Sequence, residues 1–428
     1  MNLLFYLLVF LLVLIVSSTT NKLLPFLPMP LIQILLGIGL GLCLPNNQYH
    51  LDTELFLALV IGPLLFREAQ EADITSILKH WRIVLFLIFP VIFISALSMG
   101  GLAHVLWASL PLATCVAVGA ALGPTDLVAF ASLSERFTFP KRVSNILKGE
   151  GLLNDASGLV AFRMALIAWT TGTFSLTQAG TSLAFSIVGG FAVGLITALI
   201  NRFLHSFLLS VRATDIASEL LLELSLPLLT FFIAEEIHVS GIIAVVVAGI
   251  LKASRFKKIN LLEAQVDTVT ETVWHTVTFM LNGSVFVILG MELEMIAEPI
   301  LKSAFYNNVL LLVTIFLLTF LLFAIRFVMI YGFYAFRIKK LHKSLDKYVK
   351  DMLLLTFSGV KGTVSIATIL LIPSNLEQEY SLLLFLVAGV TLVSFLTGLL
   401  VLPHLSEEKE PSKDQLMHIA ILNDVAME

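Results

Sequence analysis

The chain has 428 residues, of which 58% are hydrophobic and 13% are charged, with a formal net charge of −4 and a mean hydropathy of +0.97. Soluble proteins carry about a quarter charged residues, so this composition excludes a soluble enzyme and a disordered scaffold. It also excludes a nucleic-acid binder, which needs a basic surface. Cys43 and Cys115 lie in separate apolar runs, which argues against a disulfide or a metal site. We therefore predict an all-α, polytopic membrane protein.

Thirteen apolar segments are predicted to be membrane-spanning helices, because a helix needs about 20 apolar residues to cross the hydrocarbon core. The first is predicted to be a span and not a signal peptide, since no basic residue precedes it and a second apolar run starts at Leu23. The third and ninth are short. In chain order the segments cover residues 3–19, 24–44, 54–66, 82–106, 110–132, 149–172, 181–204, 216–236, 240–254, 273–296, 305–336, 352–373 and 380–403.

The basic residues predict the orientation of these segments. Of the 26 Lys and Arg residues, 22 lie in connections that follow odd-numbered segments or in the tail, and one, Lys302, follows an even-numbered segment. Cytoplasmic connections are enriched in Lys and Arg, so the N-terminus is predicted outside the plasma membrane and the C-terminus in the cytoplasm. Arg163, Arg326 and Lys361 lie within spans, where an unpaired charge costs about 2.5–3.5 kcal/mol, so each is expected to have a partner.

Two stretches place acidic residues at membrane depth. Gly123, Pro124, Thr125 and Asp126 interrupt the fifth segment, and a broken helix offers free carbonyls and helix ends as ion ligands. The second stretch, residues 149–155, begins the sixth segment and has the sequence Gly-Glu-Gly-Leu-Leu-Asn-Asp.

The second stretch contributes Asp155, which is predicted to be buried near Asp126 of the first stretch. Glu150 and Asn154 are four residues apart and share a helix face, and Asp155 is rotated from Asn154 by about 100°. Two carboxylates in a low-dielectric site cannot both stay ionised alone, so a proton or a small cation must neutralise Asp126 and Asp155. Competition between the two is the basis of exchange. Oxygen ligands favour a hard cation such as Na⁺ or Li⁺.

A third stretch, in the twelfth segment, carries Lys361 between Gly359 and Gly362. Lys361 is predicted to pair with Glu150 or with the two aspartates. In an inverted repeat, the twelfth segment corresponds to the fifth, and two interrupted helices in matching positions indicate a transport site. Arg326 is expected to pair with an acid of the scaffold, and Arg163, two turns beyond Asp155, is expected to play a structural or charge-balancing role.

At these residues the chain resembles the CPA1 group of monovalent cation/proton antiporters, the Na⁺/H⁺ exchangers. The resemblance covers nearly the whole membrane part, and its combination of a Thr-Asp pair, a Glu-x-x-x-Asn-Asp motif and a Gly-x-Lys-Gly motif is specific. The residues that carry it are 61–66, 125–126, 139–142, 150–155 and 359–362. Three departures concern the ligands: Gly151 stands where the family usually has Ser, Leu127 where it has Pro, and Lys361 where it has Arg.

The resemblance implies roles for several residues. Asp155 corresponds to the ion- and proton-binding aspartate, and Thr125 with Asp126 to the unwound pair at the cation site. Asn154 corresponds to the neutral partner that accompanies electroneutral exchange, with no cofactor beyond the transported H⁺ and Na⁺, Li⁺ or K⁺. Lys361 and Glu150 correspond to a bracing pair. Glu68 corresponds to an acid near the cytoplasmic funnel, and Arg163 is a further accessory candidate.

The resemblance also implies a homodimer in membrane lipid with a moving core bundle and a static scaffold. The predicted scaffold and dimerisation helices occupy residues 1–80 and 173–300. The two halves of the core transport bundle occupy residues 81–172 and 301–403, and residues 404–428 form a short cytoplasmic tail.

Two other functions compete with exchange. An intramembrane aspartyl protease also uses two aspartates, but that class has a Gly-x-Gly-Asp stretch, which neither Asp126 nor Asp155 shows. A symporter or channel of related fold would share the buried polar residues. The Asn-Asp step with a buried Glu and Lys favours exchange over both.

Overall fold

A computed structural model describes residues 3–24, 27, 29–43, 53–172, 176–211, 215–253, 261–302, 307–341, 348–369, 372 and 377–406. Within these residues the chain is helical and contains no β-strand. The helices are α1 Leu3–Leu23, α2 Met29–Cys43, α3 Thr53–Phe56, α4 Gly62–Glu71, α5 Ile74–Lys79, α6 Trp81–Phe86, α7 Ile92–Leu106, α8 Leu112–Ala121, α9 Leu127–Arg136, α10 Lys141–Thr171, α11 Leu176–Ser210, α12 Ile216–Glu236, α13 Gly241–Ala253, α14 Leu261–Lys302, α15 Asn308–Leu341, α16 Val349–Phe357, α17 Thr363–Ile369 and α18 Glu377–Leu405.

Each of the thirteen predicted segments falls on one described helix or on one interrupted pair. The third and fourth segments contain π-helical turns, Leu57–Ile61 and Leu87–Val91. The second of these holds Pro90, which has no amide hydrogen for the helical ladder and so favours a wider turn. The fifth and twelfth segments are broken at residues 122–126 and 358–362, where the sequence analysis predicts interrupted helices.

Six helical stretches among the described residues are long and apolar enough to cross a membrane: Trp81–Leu106, Lys141–Thr171, Gly180–Leu208, Ile216–Glu236, Asn308–Arg337 and Tyr380–Leu405. Shorter apolar helices, including α2, α8 and α13, complete the bundle. These findings confirm the prediction of an all-α polytopic membrane protein. The predicted tail, from residue 407 onward, lies outside the described residues.

Small residues allow close helix contacts in the part of the chain predicted to be scaffold. α2 packs along α14, where Gly37 and Gly290 face each other. A Cβ atom on Gly37 would overlap the carbonyl of Val287, and one on Gly290 would overlap the carbonyl of Ile34. Such backbone approach is the usual basis of helix association in membranes, where lipid is as apolar as the side chains.

Helix α10 occupies the centre of the other half of the molecule. It packs against α8 and the second π-turn and also contacts α4, α13, α16 and α17. The π-turn positions α10 directly, because its Ile88 carbonyl accepts a hydrogen bond from the Ser157 hydroxyl at 2.9 Å. The acidic stretch of the sequence therefore lies where the two broken helices meet.

The α2–α14 contact gives a prediction with a matched control on the same helix. Gly37→Ala should lower stability by about 1–3 kcal/mol, because the added methyl group overlaps backbone of α14. Gly39→Ala should be neutral or stabilising by up to about 1 kcal/mol, because nothing lies within 4 Å of its added methyl group and Ala favours a helix. Thermal unfolding midpoints in detergent test both variants, and equal midpoints for the two would contradict this packing.

Candidate ion-binding site

The break between α8 and α9 follows from its sequence. Pro124 cannot donate a backbone hydrogen bond, so the helical ladder of α8 ends before it. Asp126 then starts the next helix as its N-cap, with Oδ1 accepting from the amide of Ala129 at 2.9 Å. Asp is among the best N-cap residues because its carboxylate satisfies an amide that the helix leaves free. The carbonyls of Gly123 and Pro124 are left at the end of α8.

The second break lies directly against the first. The amide of Asp126 donates to the carbonyl of Val360 at 3.0 Å, so backbone of one break binds backbone of the other. Gly362 permits this approach, since a Cβ atom there would overlap the carboxylate of Asp126. The structure therefore confirms the broken, crossing helices expected from the glycine interruptions.

Buried cations satisfy the carbonyl ends of two half-helices. The Lys361 ammonium donates to the carbonyls of Gly123 and Pro124, each at 2.7 Å, at the end of α8. Arg326 of α15 donates through Nε to the carbonyl of Leu355 at 2.9 Å, near the end of α16. A helix C-terminus carries partial negative charge, so each cation lies where it is favoured and each completes backbone bonding that lipid could not.

Helix α10 contributes the polar side chains of Asn154 and Glu150 to the crossing, the place where the two breaks at residues 122–126 and 358–362 meet. Asn154 donates through Nδ2 to the backbone carbonyl of Thr125 at 2.9 Å and to its hydroxyl at 2.6 Å. The Thr125 hydroxyl in turn donates to Glu150 at 3.1 Å. Pro124 packs on Gly158 one turn further along, where a Cβ atom would overlap the proline ring. The predicted grouping of Thr125 with Asn154 and Glu150 is present in the structure.

The partner of Glu150 is a correction to the sequence analysis. Glu150 forms a bidentate ion pair with Arg326, at 2.6 and 2.8 Å, and not the predicted pair with Lys361. The planar guanidinium matches both carboxylate oxygens, whereas the ammonium is held by backbone carbonyls. Gly359 makes room for this pair, since a Cβ atom there would overlap the guanidinium. Arg326 was expected to bind a scaffold acid, and that expectation was also wrong.

Asp155 has a buried carboxylate that the packed helices do not fully satisfy with hydrogen bonds. It is 3% exposed, and its Oδ1 has no hydrogen-bond partner among the described residues. The same holds for Oδ1 of Asn154, one residue earlier. The charges of Asp126 and Lys361 lie close enough to interact with Asp155. A buried oxygen without a partner is unfavourable, and a proton or a cation would supply the missing interaction.

The two accessory candidates lie in different surroundings. Glu68 of α4 is partly buried and within electrostatic range of Lys148 and Asp126. The side chain of Arg163 is half exposed, 3.8 Å from the carboxylate of Glu235 on α12. Eight residues of helix separate it from Asp155, about 12 Å, so the structure places it outside the crossing. Within the described part of the chain, no group of three or more His, Cys, Asp or Glu side chains could hold a metal, so oxygens of mixed type are the candidate ligands.

Comparison with known proteins identifies the family. The model of the family described as sodium/hydrogen exchanger, transmembrane, matches residues 7–406. This chain belongs to the sodium/hydrogen exchanger family. An antiporter of Bacillus subtilis, named for sodium, potassium, lithium and rubidium/H⁺, is 34% identical over 95% of this chain and 62% of its own length. A Bacillus pumilus protein of the same name is also 34% identical, over 92% of this chain and 60% of its own length.

Two further comparisons concern coverage and fold. The chain spans about three fifths of the length of the two Bacillus relatives. An Escherichia coli protein named as an uncharacterized Na⁺/H⁺ exchanger is 31% identical over 96% of this chain and 77% of that protein. The solved sodium proton antiporter MjNhaP1 of Methanocaldococcus jannaschii has the same fold, with a TM-score of 0.69 over 95% of this chain and 98% of that chain at 17% identity. The antiporter resemblance is thus confirmed, and the relatives are named as transporters and not as enzymes.

The Glu150–Arg326 pair can be tested by paired substitution. Arg326→Gln should destabilise the protein by about 3–5 kcal/mol, because it leaves a buried carboxylate without its counter-charge. Adding Glu150→Gln should restore part of that loss. Glu150→Gln combined with Lys361→Gln should restore less, because those two side chains have separate partners. Thermal unfolding in detergent compares the single variants Arg326→Gln, Glu150→Gln and Lys361→Gln with the two double variants, and full recovery with the lysine combination would contradict the observed pairing.

Proposed function

We propose that this protein exchanges Na⁺ and related monovalent cations for H⁺, with Asp155 as the binding group. The observation that carries the proposal is a count of buried charge. Among the described residues, three acids and two bases are buried at the crossing, each at most 4% exposed: Asp126, Glu150, Asp155, Arg326 and Lys361. With all five ionised the site carries a charge of −1. One proton or one monovalent cation neutralises it, and either alone is sufficient.

The surroundings support Asp155 as the group that takes the exchanged ion. Glu150 is neutralised by Arg326, and Asp126 caps α9. The Oδ1 atoms of Asp155 and Asn154 are buried and have no hydrogen-bond partner among the described residues. The backbone carbonyl of Thr125 binds Asn154 through one lone pair and retains a second. These oxygens, with the carboxylate of Asp126, form a ligand set that suits a hard monovalent cation.

The cation is proposed to be Na⁺, with Li⁺, K⁺ and Rb⁺ as further substrates. The two Bacillus relatives are named for all four ions. Gly151 stands on α10 one turn before Asp155, where a hydroxyl side chain would add a ligand, so the site offers few side-chain oxygens to enforce one ionic radius. Because protons and cations compete for one carboxylate, cation uptake should fall as the medium becomes acidic.

Alternating access is proposed to move α10, with Asp155, relative to the scaffold. The packing supports the proposed division: α2 packs along α14 and α4 along α13, which joins the two scaffold ranges. Likewise α8 packs against α7, α10 and α17, which joins the two core ranges. A plasma-membrane homodimer with an outside N-terminus and a cytoplasmic C-terminus completes the proposal. The Na⁺ site faces one side of the membrane at a time, which separates an exchanger from a channel.

The assignment of Asp155 predicts a loss of transport. Asp155→Asn keeps the side-chain volume but removes the charge that binds either ion, so ΔpH-linked exchange should fall to the background of empty vesicles. Asp215→Asn is the matched control, since Asp215 is an exposed N-cap of α12 and Asn also caps helices well. Dye quenching in proteoliposomes, with Na⁺, Li⁺, K⁺ and Rb⁺ in turn, measures both. Exchange at the unmodified rate by Asp155→Asn would end the assignment, and proton movement in the same direction as the cation would indicate a symporter.

The charge count predicts the stoichiometry. If one H⁺ replaces one Na⁺ while Lys361 stays charged, the cycle moves no net charge, and an imposed membrane potential of either sign should leave the exchange rate unchanged. Reconstituted protein with a clamped potential tests this. A rate that rises steeply with potential would mean that a second proton moves, with Lys361 as its carrier.

A further inference from the structure

A short surface segment lies directly beneath the ion-binding helix, and the proposed exchange does not use it. Helix α5, Ile74–Lys79, connects α4 to the span Trp81–Leu106 and has no buried residue. Its start is well defined: Oδ1 of Asp73 accepts from the amide of Ser76 at 3.1 Å and from the hydroxyl of Thr75 at 2.6 Å. Hydrogen bonds from Ser76 and then Thr75 lower the pKa of Asp73 to about 2, so this cap persists at any physiological pH.

The outward side of this segment combines apolar and basic side chains. Leu78 is 61% exposed and Trp81 is 50% exposed. Lys79 and Arg82 are exposed beside them, and the Arg82 guanidinium lies over the Trp81 ring, 5.5 Å from its centroid. Trp81 is the first residue of a membrane span, which places this surface at the boundary between hydrocarbon and headgroups. Exposed Trp with flanking basic residues is typical of that boundary.

The basic residues of this surface, Lys79 and Arg82, outnumber Asp73, the ionised carboxylate at the start of α5. Asp73 is occupied by the hydrogen bonds of its cap. Glu71 is paired with Arg67 at 2.7 Å. The ring of His80 is hydrogen-bonded through Nδ1 to the carbonyl of Ser76 at 3.0 Å. Asp73 interacts with Lys79, so Lys79, Arg82 and Asp73 together leave a charge of +1 to attract anions. The anions present at a membrane boundary are phospholipid headgroups.

The inward side of α5 contacts the transport helix one residue before Glu150. Ile77 packs on Gly149, where a Cβ atom would approach the Ile77 side chain to 2.7 Å and that of Val84 to 3.3 Å. Because Gly149 has no side chain, α5 can pack closely against α10. Glu150 follows immediately and holds the Arg326 pair of the crossing. A displacement of α5 toward or away from the membrane would therefore change the packing beside Glu150.

We propose that Leu78, Lys79, Trp81 and Arg82 form a docking surface for anionic phospholipid headgroups, and that lipid bound there influences transport through the Ile77–Gly149 contact. The lipid-binding step depends only on the surface itself. The coupling step rests on the proposed exchange function.

Lipid association is tested on purified protein in mixed micelles with spin-labelled phosphatidylglycerol and phosphatidylcholine. The wild type should prefer the anionic lipid, and Lys79→Gln with Arg82→Gln should reduce the preference by about fivefold for each charge removed. The charge-conserving variant Lys79→Arg with Arg82→Lys should keep it. An unchanged preference after neutralisation would overturn the proposal. Displacement of the labelled lipid by millimolar inorganic phosphate would also overturn it, because it would show a site for soluble anions.

The coupling step is tested by Na⁺/H⁺ exchange in proteoliposomes made with and without phosphatidylglycerol. The wild-type rate should differ between the two membranes, by no more than the roughly 25-fold that two such charges can supply. Ile77→Ala should keep the lipid preference and lose the rate difference, and Ile77→Val should retain both. A rate difference that persists in Ile77→Ala would overturn the coupling. If the wild type exchanges in neither membrane, the proposed function fails while the lipid-association result stands.

Discussion

Non-helical backbone at membrane depth is the constraint on which the rest of this structure depends. Lipid cannot satisfy a free carbonyl or amide, so each broken helix must find polar partners within the protein. Here the partners are charged: Lys361 binds the carbonyl end of α8, Arg326 binds near the end of α16, and Asp126 caps α9. The backbone bond from Asp126 to Val360 then fixes one break against the other. The charged side chains at the crossing therefore have a structural role, which is to satisfy the free backbone groups of the broken helices.

The same charges determine what the site can do. Two cations are needed to complete two carbonyl ends, and they bring net positive charge into the bundle. Glu150 offsets one through a bidentate pair, and Asp126 and Asp155 more than offset the other. The arrangement is thus short of one positive charge when every group is ionised. A buried, uncompensated charge is strongly unfavourable, so an ion from solution would stabilise the protein. On the proposed function, binding and exchange follow from this imbalance and need no further catalytic group.

The sequence predicts the fold well because the relevant signals are local. Apolar length and the alternation of basic connections locate thirteen segments, and Gly-Pro and Gly-x-Lys-Gly locate both breaks. The identity of the ion pair is different, because Glu150 and Arg326 are 176 residues apart and meet only through packing. The residue types did indicate which cation binds Glu150. An ammonium beside a broken helix can bind its free carbonyls, whereas a guanidinium in an unbroken helix requires a carboxylate from elsewhere. The missing hydrogen-bond partner of Asp155 Oδ1 likewise results from helix packing, and the spacing of residues in the sequence could not predict it.

The distribution of strong and weak contacts indicates which parts can move relative to each other. Within the predicted scaffold, α2 and α14 meet backbone to backbone, and Lys252 of α13 pairs with Glu223 of α12 at 3.0 Å with both side chains at most 13% exposed. Within the core, the Glu150–Arg326 pair is buried. Between α10 and α12, by contrast, the ion pair Arg163–Glu235 is 3.8 Å long and largely solvated. Exposed pairs contribute about 0–1 kcal/mol, whereas breaking a buried pair costs about 3–5 kcal/mol. On the proposed function, alternating access would break the exposed Arg163–Glu235 pair at little cost and would leave the buried pairs intact.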